Sequence, residues 1–164
     1  MDSGIHIGMD ISQRSFGDPV VQALVVELQQ EFVVRYGGPD ETPLDVTMFD
    51  PPAGAFLLGT VDAEPVAMGG WRRRPDVQAL GRSVAAEIKR MYVVPGARGR
   101  GCARALLAAL ESSARSSGAD VMVLETGLKQ PEAIALYESS GYVPVEGFGY
   151  YKDSPTVRYF GKRL

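Results

Sequence analysis

The first fifty residues change from an alternating pattern of apolar positions to a helical one. In the segment GIHIGMDIS every second residue is apolar, which predicts a half-buried strand. Asp18 is then a typical N-cap and Pro19 a typical first helical residue. The apolar residues that follow have helical spacing: Val21, Leu24, Val25 and Leu28. Gly37 and Gly38 end this helix, and the acidic, proline-containing segment 39–52 predicts a loop.

The rest of the chain alternates between strand and helix patterns. AFLLGT and PVAMGGW flank the turn VDAE and predict an antiparallel hairpin, and VAAEIKRMYVV predicts a central strand ending at Pro95. Residues 100–117 have the apolar spacing of an amphipathic helix closed by Gly118. VMVLET is typical of a strand covered on both faces. A second helix opens at Pro131 and ends at Gly141, and YVPVEGF and TVRYFGKRL predict two final strands.

The predicted order is therefore β, α, β, β, β, α, β, α, β, β. This order indicates an α/β fold with a central mixed, mostly antiparallel sheet of about six or seven strands and helices on its faces. The length of 164 residues suits one domain, so we expect residues 1–164 to form a single unit.

Composition narrows the class of protein. The net charge of −3 and the pI near 5.2 give no reason to expect nucleic acid as a partner. The first ten residues lack a basic start and a continuous apolar stretch, and no segment has the length of a membrane span. One cysteine and one histidine assemble neither an internal disulfide nor a zinc site. We expect a cytoplasmic protein with no metal and no membrane partner.

The segment PGARGRGCA joins the central strand to the amphipathic helix and carries three glycines. Such a bend exposes main-chain N–H groups at a helix N-terminus, where the helix dipole favours an anion. A P-loop would need Lys and Ser or Thr where this chain has Cys102 and Ala103. A dinucleotide fold would need a third glycine where Arg104 stands. Both alternatives fit poorly.

A third pattern, R-x-x-G-x-A, is met by Arg98, Gly101 and Ala103. This stretch resembles the acyl-coenzyme A binding signature of the GNAT superfamily of N-acetyltransferases. AEIKRMYVVPGARGRGCARALLAAL resembles the family's strand, loop and helix, and GLKQPEAIALYESSGYVPV resembles its second conserved block. Together these segments span about residues 85–147, and the predicted order of elements agrees with the family's fold.

The resemblance implies a set of residues that contact acetyl-CoA. The diphosphate would lie on the N–H groups from Arg98 to Ala103, and the pantetheine along the edge of the central strand. Gln130 stands where many members have asparagine. The implied contact residues are Met91, Val93, Val94, Arg98, Gly99, Arg100, Gly101, Cys102, Ala103 and Gln130.

Two catalytic residues are implied as well. Tyr137 matches the tyrosine that protonates the departing thiolate, and its alternative role is that of a core aromatic. Glu87 stands where some members carry a general base, and its alternative role is an ion pair with Lys89 or a nearby arginine. The implied reaction is direct attack of a primary amine on the thioester, with the N–H of Val93 polarising the carbonyl.

Two rival functions remain open from the sequence. A catalytically silent domain of the same fold would bind acyl-CoA as a sensor or interaction module, and a nucleotide-binding protein would hold its phosphates on the same loop. The resemblance implies a small-molecule or peptide amine as acceptor, and it is compatible with a homodimer through the C-terminal strands, as in many relatives.

Overall fold

The computed structural model describes residues 8–164 and has seven strands in one sheet with three helices. The order of elements agrees with the prediction from sequence, and no helix in the described part is long and apolar enough to cross a membrane. The strands are β1 (Asp10–Arg14), β2 (Gly54–Val61), β3 (Glu64–Arg73), β4 (Ala85–Val93), β5 (Val121–Gly127), β6 (Val143–Pro144) and β7 (Val157–Arg163). The helices are α1 (Pro19–Tyr36), α2 (Cys102–Ser116) and α3 (Pro131–Ser139).

Most element boundaries follow from local chemistry. The Asp18 carboxylate accepts a hydrogen bond from the N–H of Val20 at 2.8 Å, and Gly37 ends α1 in the left-handed conformation. The first predicted strand falls partly on residues 1–7, which lie outside the described residues; β1 begins at Asp10. The strand predicted in YVPVEGF is reduced to the two residues of β6.

The sheet contains one parallel pair, and that pair is short. Its strand order is β1-β2-β3-β4-β5-β7-β6. Strands β4 and β5 are parallel and pair only where 85–87 face 121–123. Beyond that point β4 stays paired with β3, and β5 stays paired with β7 along its whole length. The two central strands therefore separate toward their C-terminal ends.

A β-bulge changes which side chains of β4 face each helix layer. The register between β3 and β4 shifts between Met68 and Gly70, and Arg90 has a φ of 57°. Ala86 and Ile88 face the α2 layer, but after the bulge Met91 packs in that layer and Tyr92 packs with α1. The bulge therefore reverses the alternation of side chains in the second half of β4.

Two adjacent glycines of β3 let both layers approach the sheet. A Cβ on Gly69 would lie 3.2 Å from a methyl carbon of Leu110 on α2. On the opposite face, a Cβ on Gly70 would lie 2.6 Å from a ring carbon of Phe56 and 2.8 Å from one of Phe49. These rings belong to the core under α1. The absence of side chains at both positions therefore sets the thickness of the core.

We predict that Gly70→Ala lowers the free energy of unfolding by about 1–3 kcal/mol, because the added methyl overpacks two aromatic rings. Gly96→Ala is the matched control, since a Cβ there meets no atom within 4 Å. Chemical denaturation of both variants checks this. Equal stability of the two variants would show that the rings under α1 move aside without cost.

Candidate functional site

The separation of β4 and β5 opens a cavity of about 430 Å³. One side is formed by the diverging strands, and the others by the end of α1, the loop after it, α3 and the segment 151–157. The lining residues that carry polar or aromatic side chains include Phe32, Tyr36, Asp40, Lys89, Arg90, Glu125, Gln130, Tyr137 and Tyr151. The volume is within the range of roughly 300–1,000 Å³ that is usual for small-molecule sites.

The glycine-rich loop lies directly after β4. It forms one 3₁₀ turn, Pro95–Ala97, and then reaches α2 through Gly99 and Gly101, whose φ values are 77° and 84°. Gly101 is the N-cap of α2 and has no side chain that could accept a hydrogen bond there. Within residues 8–164, the main-chain N–H groups of 99–104 donate no hydrogen bond. A Cβ on Gly96 or Gly99 would meet no atom within 4 Å. The loop therefore offers free amides and open space to an anion at the start of α2.

The arginines around this loop have different environments. Arg98 turns toward α1, where its Nε donates to the Val93 carbonyl at 2.9 Å and its Nη2 to Glu31 at 2.8 Å. Arg104 donates to the hydroxyls of Ser139, the last residue of α3, and of Ser140, which follows it. Arg100 is exposed. The side chains of Arg98 and Arg104 thus join elements of the fold, and Arg100 faces solvent beside the free amides.

The other residues predicted to contact acetyl-CoA lie along β4 and just after it, in the cavity wall and in the first turn of α2. Met91 and Gln130 line the cavity, whereas Val93 and Val94 lie closer to the loop. The N–H of Val94 donates to the Val66 carbonyl at 2.9 Å, so that amide is already used by the sheet. Cys102 is buried and Ala103 is partly buried in the first turn of α2.

Tyr137 lines the cavity and is at the same time a buried residue of the hydrophobic core. Its hydroxyl is 3.7 Å from the Sδ of Met91, so the β4 bulge and α3 meet at this point. Burial raises the pKa of the Tyr137 hydroxyl well above its ordinary value. The hydroxyl therefore keeps its proton at neutral pH and can serve as a donor.

Glu87 is almost fully buried and is held by arginines of β3 and the following loop. Its Oε1 accepts from Arg72 Nε at 2.9 Å and from Arg74 Nη1 at 2.6 Å. Among the described residues, those that line the cavity do not include Glu87. The ion pair expected as its alternative role is present, with these arginines as the partners and not with Lys89.

Glu125 is a cavity carboxylate that the sequence analysis did not single out. It lies on β5 and lines the cavity, and its Oε1 is 3.3 Å from the Nζ of Lys89. Burial raises the pKa of Glu125 above the ordinary value; the charge of Lys89 opposes this rise, and that of Glu87 adds to it. The available signal was an acidic residue inside the otherwise apolar run VMVLET.

A second charged pair closes the cavity beside Lys89. Arg90 donates to Asp40, which lies in the loop after α1. Burial favours a higher pKa for Asp40, but the positive charges of Lys89 and Arg90 outweigh it and leave the pKa below the ordinary value. Asp40 is therefore ionised at neutral pH and holds its loop against β4.

The C-terminal end of α1 covers the cavity where β5 ends. The Tyr36 hydroxyl occupies the space where a Cβ of Gly127 would lie, and it accepts from the Gln130 side chain at 3.3 Å. Arg35 donates to the Lys129 carbonyl at 2.8 Å and pairs with Glu132 of α3. Glycine at 127 is thus required for α1 and α3 to meet over the gap between the strands.

Comparison with known proteins gives consistent results. The sequence model that represents the acetyltransferase (GNAT) family matches residues 22–142 of this chain. IAA acetyltransferase from Azospirillum brasilense is 32% identical over 147 residues, which are 90% of this chain and 92% of that protein. A Klebsiella pneumoniae structure assigned to the acyl-CoA N-acyltransferases is 28% identical with a TM-score of 0.78, covering 96% of this chain and 99% of that one.

A more distant structure agrees in fold. A GNAT family acetyltransferase from Elizabethkingia anophelis, with acetyl-CoA bound, has a TM-score of 0.67 at 16% identity and covers 96% of this chain and 99% of that one. The family model covers well over half of the chain, and the Azospirillum relative matches nine-tenths of it. The chain therefore belongs to the GNAT family of acetyltransferases.

Proposed function

We propose that the protein transfers the acetyl group of acetyl-CoA to a primary amine in a ternary complex. The observation that carries this proposal is the cavity between the separated strands, which is lined by a buried tyrosine, Tyr137, and by a partly buried carboxylate, Glu125. Acyl transfer to an amine needs one group that accepts a proton and one that donates it. The cavity wall provides both.

The free amides of the glycine-rich loop support acetyl-CoA as the acetyl donor. A diphosphate on the N–H groups of 99–103 would be stabilised by the N-terminus of α2, and Arg100 lies beside it. From this loop the edge of β4 leads past Val93 to Met91 in the cavity wall. A chain that is anchored on the loop and follows this edge would bring its thioester to Tyr137.

The residues of the cavity then handle the protons. An alkylamine has a pKa of about 10.4 and arrives mostly as the ammonium ion. Glu125 accepts a proton from this ammonium ion, which frees the nitrogen lone pair. The nitrogen then attacks the thioester carbonyl, so that the C–N bond forms and the C–S bond breaks. Tyr137 donates its proton to the departing thiolate and regains a proton, through solvent, from the nitrogen of the new amide. Cys102 is buried in α2 and takes no part as a nucleophile.

Glu87 remains the general base predicted from the family resemblance, and it can be tested beside Glu125. Two arginines already bind one oxygen of Glu87, which does not line the cavity among the described residues, whereas Glu125 lines the cavity and has one long contact to an ammonium group. We therefore assign proton acceptance to Glu125.

We predict that Gly99→Asp weakens acetyl-CoA binding about tenfold or more relative to Gly99→Asn. Both side chains tolerate the positive φ of this position better than most, and a Cβ there has free space, so both variants should fold. The Asp carboxylate alone repels a diphosphate, and added salt should reduce the difference between the two dissociation constants. Titration calorimetry at two salt concentrations measures this. Equal affinity of the two variants would place the diphosphate elsewhere.

We predict that Glu125→Gln and Tyr137→Phe each lower kcat about 100-fold, as expected for loss of a general base or acid, with little change in acetyl-CoA affinity. Glu87→Gln should instead lower the free energy of unfolding by about 3 kcal/mol, because the buried guanidinium group of Arg72 and the partly buried one of Arg74 lose their common charged partner. Steady-state kinetics with each folded variant, together with thermal unfolding, separates the two carboxylates. A large loss of kcat in a stable Glu87→Gln variant would assign the base to Glu87.

We predict that kcat/KM for the acceptor falls at low pH through an apparent pKa above the ordinary glutamate value, because kcat/KM reports the pKa values of the free enzyme. Glu125 accepts a proton only when it is ionised, and burial raises its pKa, so activity is present above this pKa and is lost as the pH falls through it. The Glu125→Gln variant should lack this limb in its pH–rate profile. Retention of the same limb in that variant would show that another group titrates.

A further inference from the structure

We propose that the acceptor is an α-amino acid whose carboxylate binds Lys89 while its amine binds Glu125. This inference rests on the proposed function, because it names the acceptor class of the same cavity.

Lys89 is a buried ammonium group without a close partner among the described residues. Its Nζ lies 3.3 Å from Glu125 Oε1, 3.5 Å from Thr42 Oγ1 and 3.9 Å from Asp40 Oδ2. Charge-assisted hydrogen bonds of this kind are usually about 2.7–2.9 Å long, and an ammonium group has three donors. The side chain is only 4% exposed and lines the cavity, so it has little contact with bulk water and a group bound in the cavity can supply the remaining contacts.

The neighbouring residues cannot easily close around Lys89. Asp40 is already paired with Arg90, and Glu125 is fixed on β5, which diverges from β4 at this point. The Nε of Arg90 is also buried without a partner in the described part of the chain. Lys89 and Arg90 therefore have N–H groups without hydrogen-bond partners among the described residues. This favours an amine substrate that also carries an anionic oxygen.

Charge balance then selects the kind of anion. A simple carboxylate entering the cavity would leave Glu125 without its partner, and a simple ammonium ion would do the same to Lys89. A zwitterion adds no net charge. It replaces the long ion pair between Lys89 and Glu125 by two ion pairs, one from its carboxylate to Lys89 and one from its ammonium group to Glu125. In an α-amino acid the nitrogen lies about 2.5 Å from the carboxyl carbon. This separation suits insertion beside two groups that are 3.3 Å apart.

The same placement is productive for the reaction. The amine would lie against the carboxylate that is proposed to accept its proton, in the cavity that Tyr137 also lines. The rest of the acceptor would face the rings of Phe32, Tyr36 and Tyr151, which line the cavity and are partly buried. An apolar or aromatic amino acid side chain therefore fits best, since these rings offer apolar contact surface.

Three amines that differ only at the carboxyl position test this inference on the unaltered protein. L-Phenylalanine, L-phenylalanine amide and 2-phenylethylamine are compared as acceptors with acetyl-CoA by following release of the CoA thiol. We expect kcat/KM for phenylalanine to exceed the values for the other two amines about tenfold or more. The other two amines lack the carboxylate and therefore lose its charge-assisted hydrogen bond to Lys89. Equal values, or a preference for 2-phenylethylamine, overturn the inference.

Variants of Lys89 identify the residue responsible. Lys89→Met should reduce the ratio of kcat/KM for phenylalanine to kcat/KM for 2-phenylethylamine about tenfold or more. Lys89→Arg keeps the positive charge and should retain most of the ratio of the unaltered protein. Lys152→Met is the matched control, because Lys152 is exposed and does not line the cavity among the described residues. If Lys89→Met fails to fold, the comparison of the three amines and Lys89→Arg still decide. An unchanged ratio in a folded Lys89→Met variant overturns the inference.

Failure of this inference differs from failure of the proposed function. Acetylation of 2-phenylethylamine or of a lysine-containing peptide without a preference for the carboxylate would overturn the role of Lys89 and leave N-acetyl transfer intact. No turnover of any amine, together with no heat on titration with acetyl-CoA, would overturn both.

Discussion

The structure depends on a parallel strand pair that is held over only three residues on each strand. Strands β4 and β5 pair where 85–87 face 121–123 and then diverge. Each strand still has a second partner, because β3 accompanies β4 and β7 accompanies β5. The separation therefore removes the hydrogen bonds of one ladder without loosening either strand. Backbone polar groups that face a gap need partners, so the gap favours an occupant that carries polar groups along its length.

The same separation determines where the functional side chains lie. Side chains from β4 and β5 that would touch in a closed sheet instead face one cavity from opposite sides. The β4 bulge adds to this effect, since it turns Met91 toward α3 and Tyr137 while Lys89 and Arg90 face the loop after α1. The cavity therefore has one wall at Met91 and Tyr137 and another that carries the charges of Lys89, Arg90 and Asp40.

The sequence predicts the elements of this fold better than it predicts the geometry of the site. Glycines and prolines mark the ends of α1, α2 and α3 because they act locally, and the glycine-rich loop is recognisable for the same reason. The choice between Glu87 and Glu125 depends on the register of β4 with β5 and on the bulge at Arg90, which are set by packing between distant segments. Strand periodicity alone assigns Tyr92 to the face of Ala86, and the bulge reverses this.

The coordination of the buried charges distinguishes those that support the fold from those that await a ligand. Burying an ion is costly unless short, well-directed contacts replace its hydration. Glu87 has such contacts, at 2.9 and 2.6 Å, and these join β4 to Arg72 and Arg74. Lys89 is equally buried, yet each of its contacts is 3.3 Å or longer. A charge that is retained in this state costs stability, and the cost is understandable if a substrate completes the coordination during the reaction.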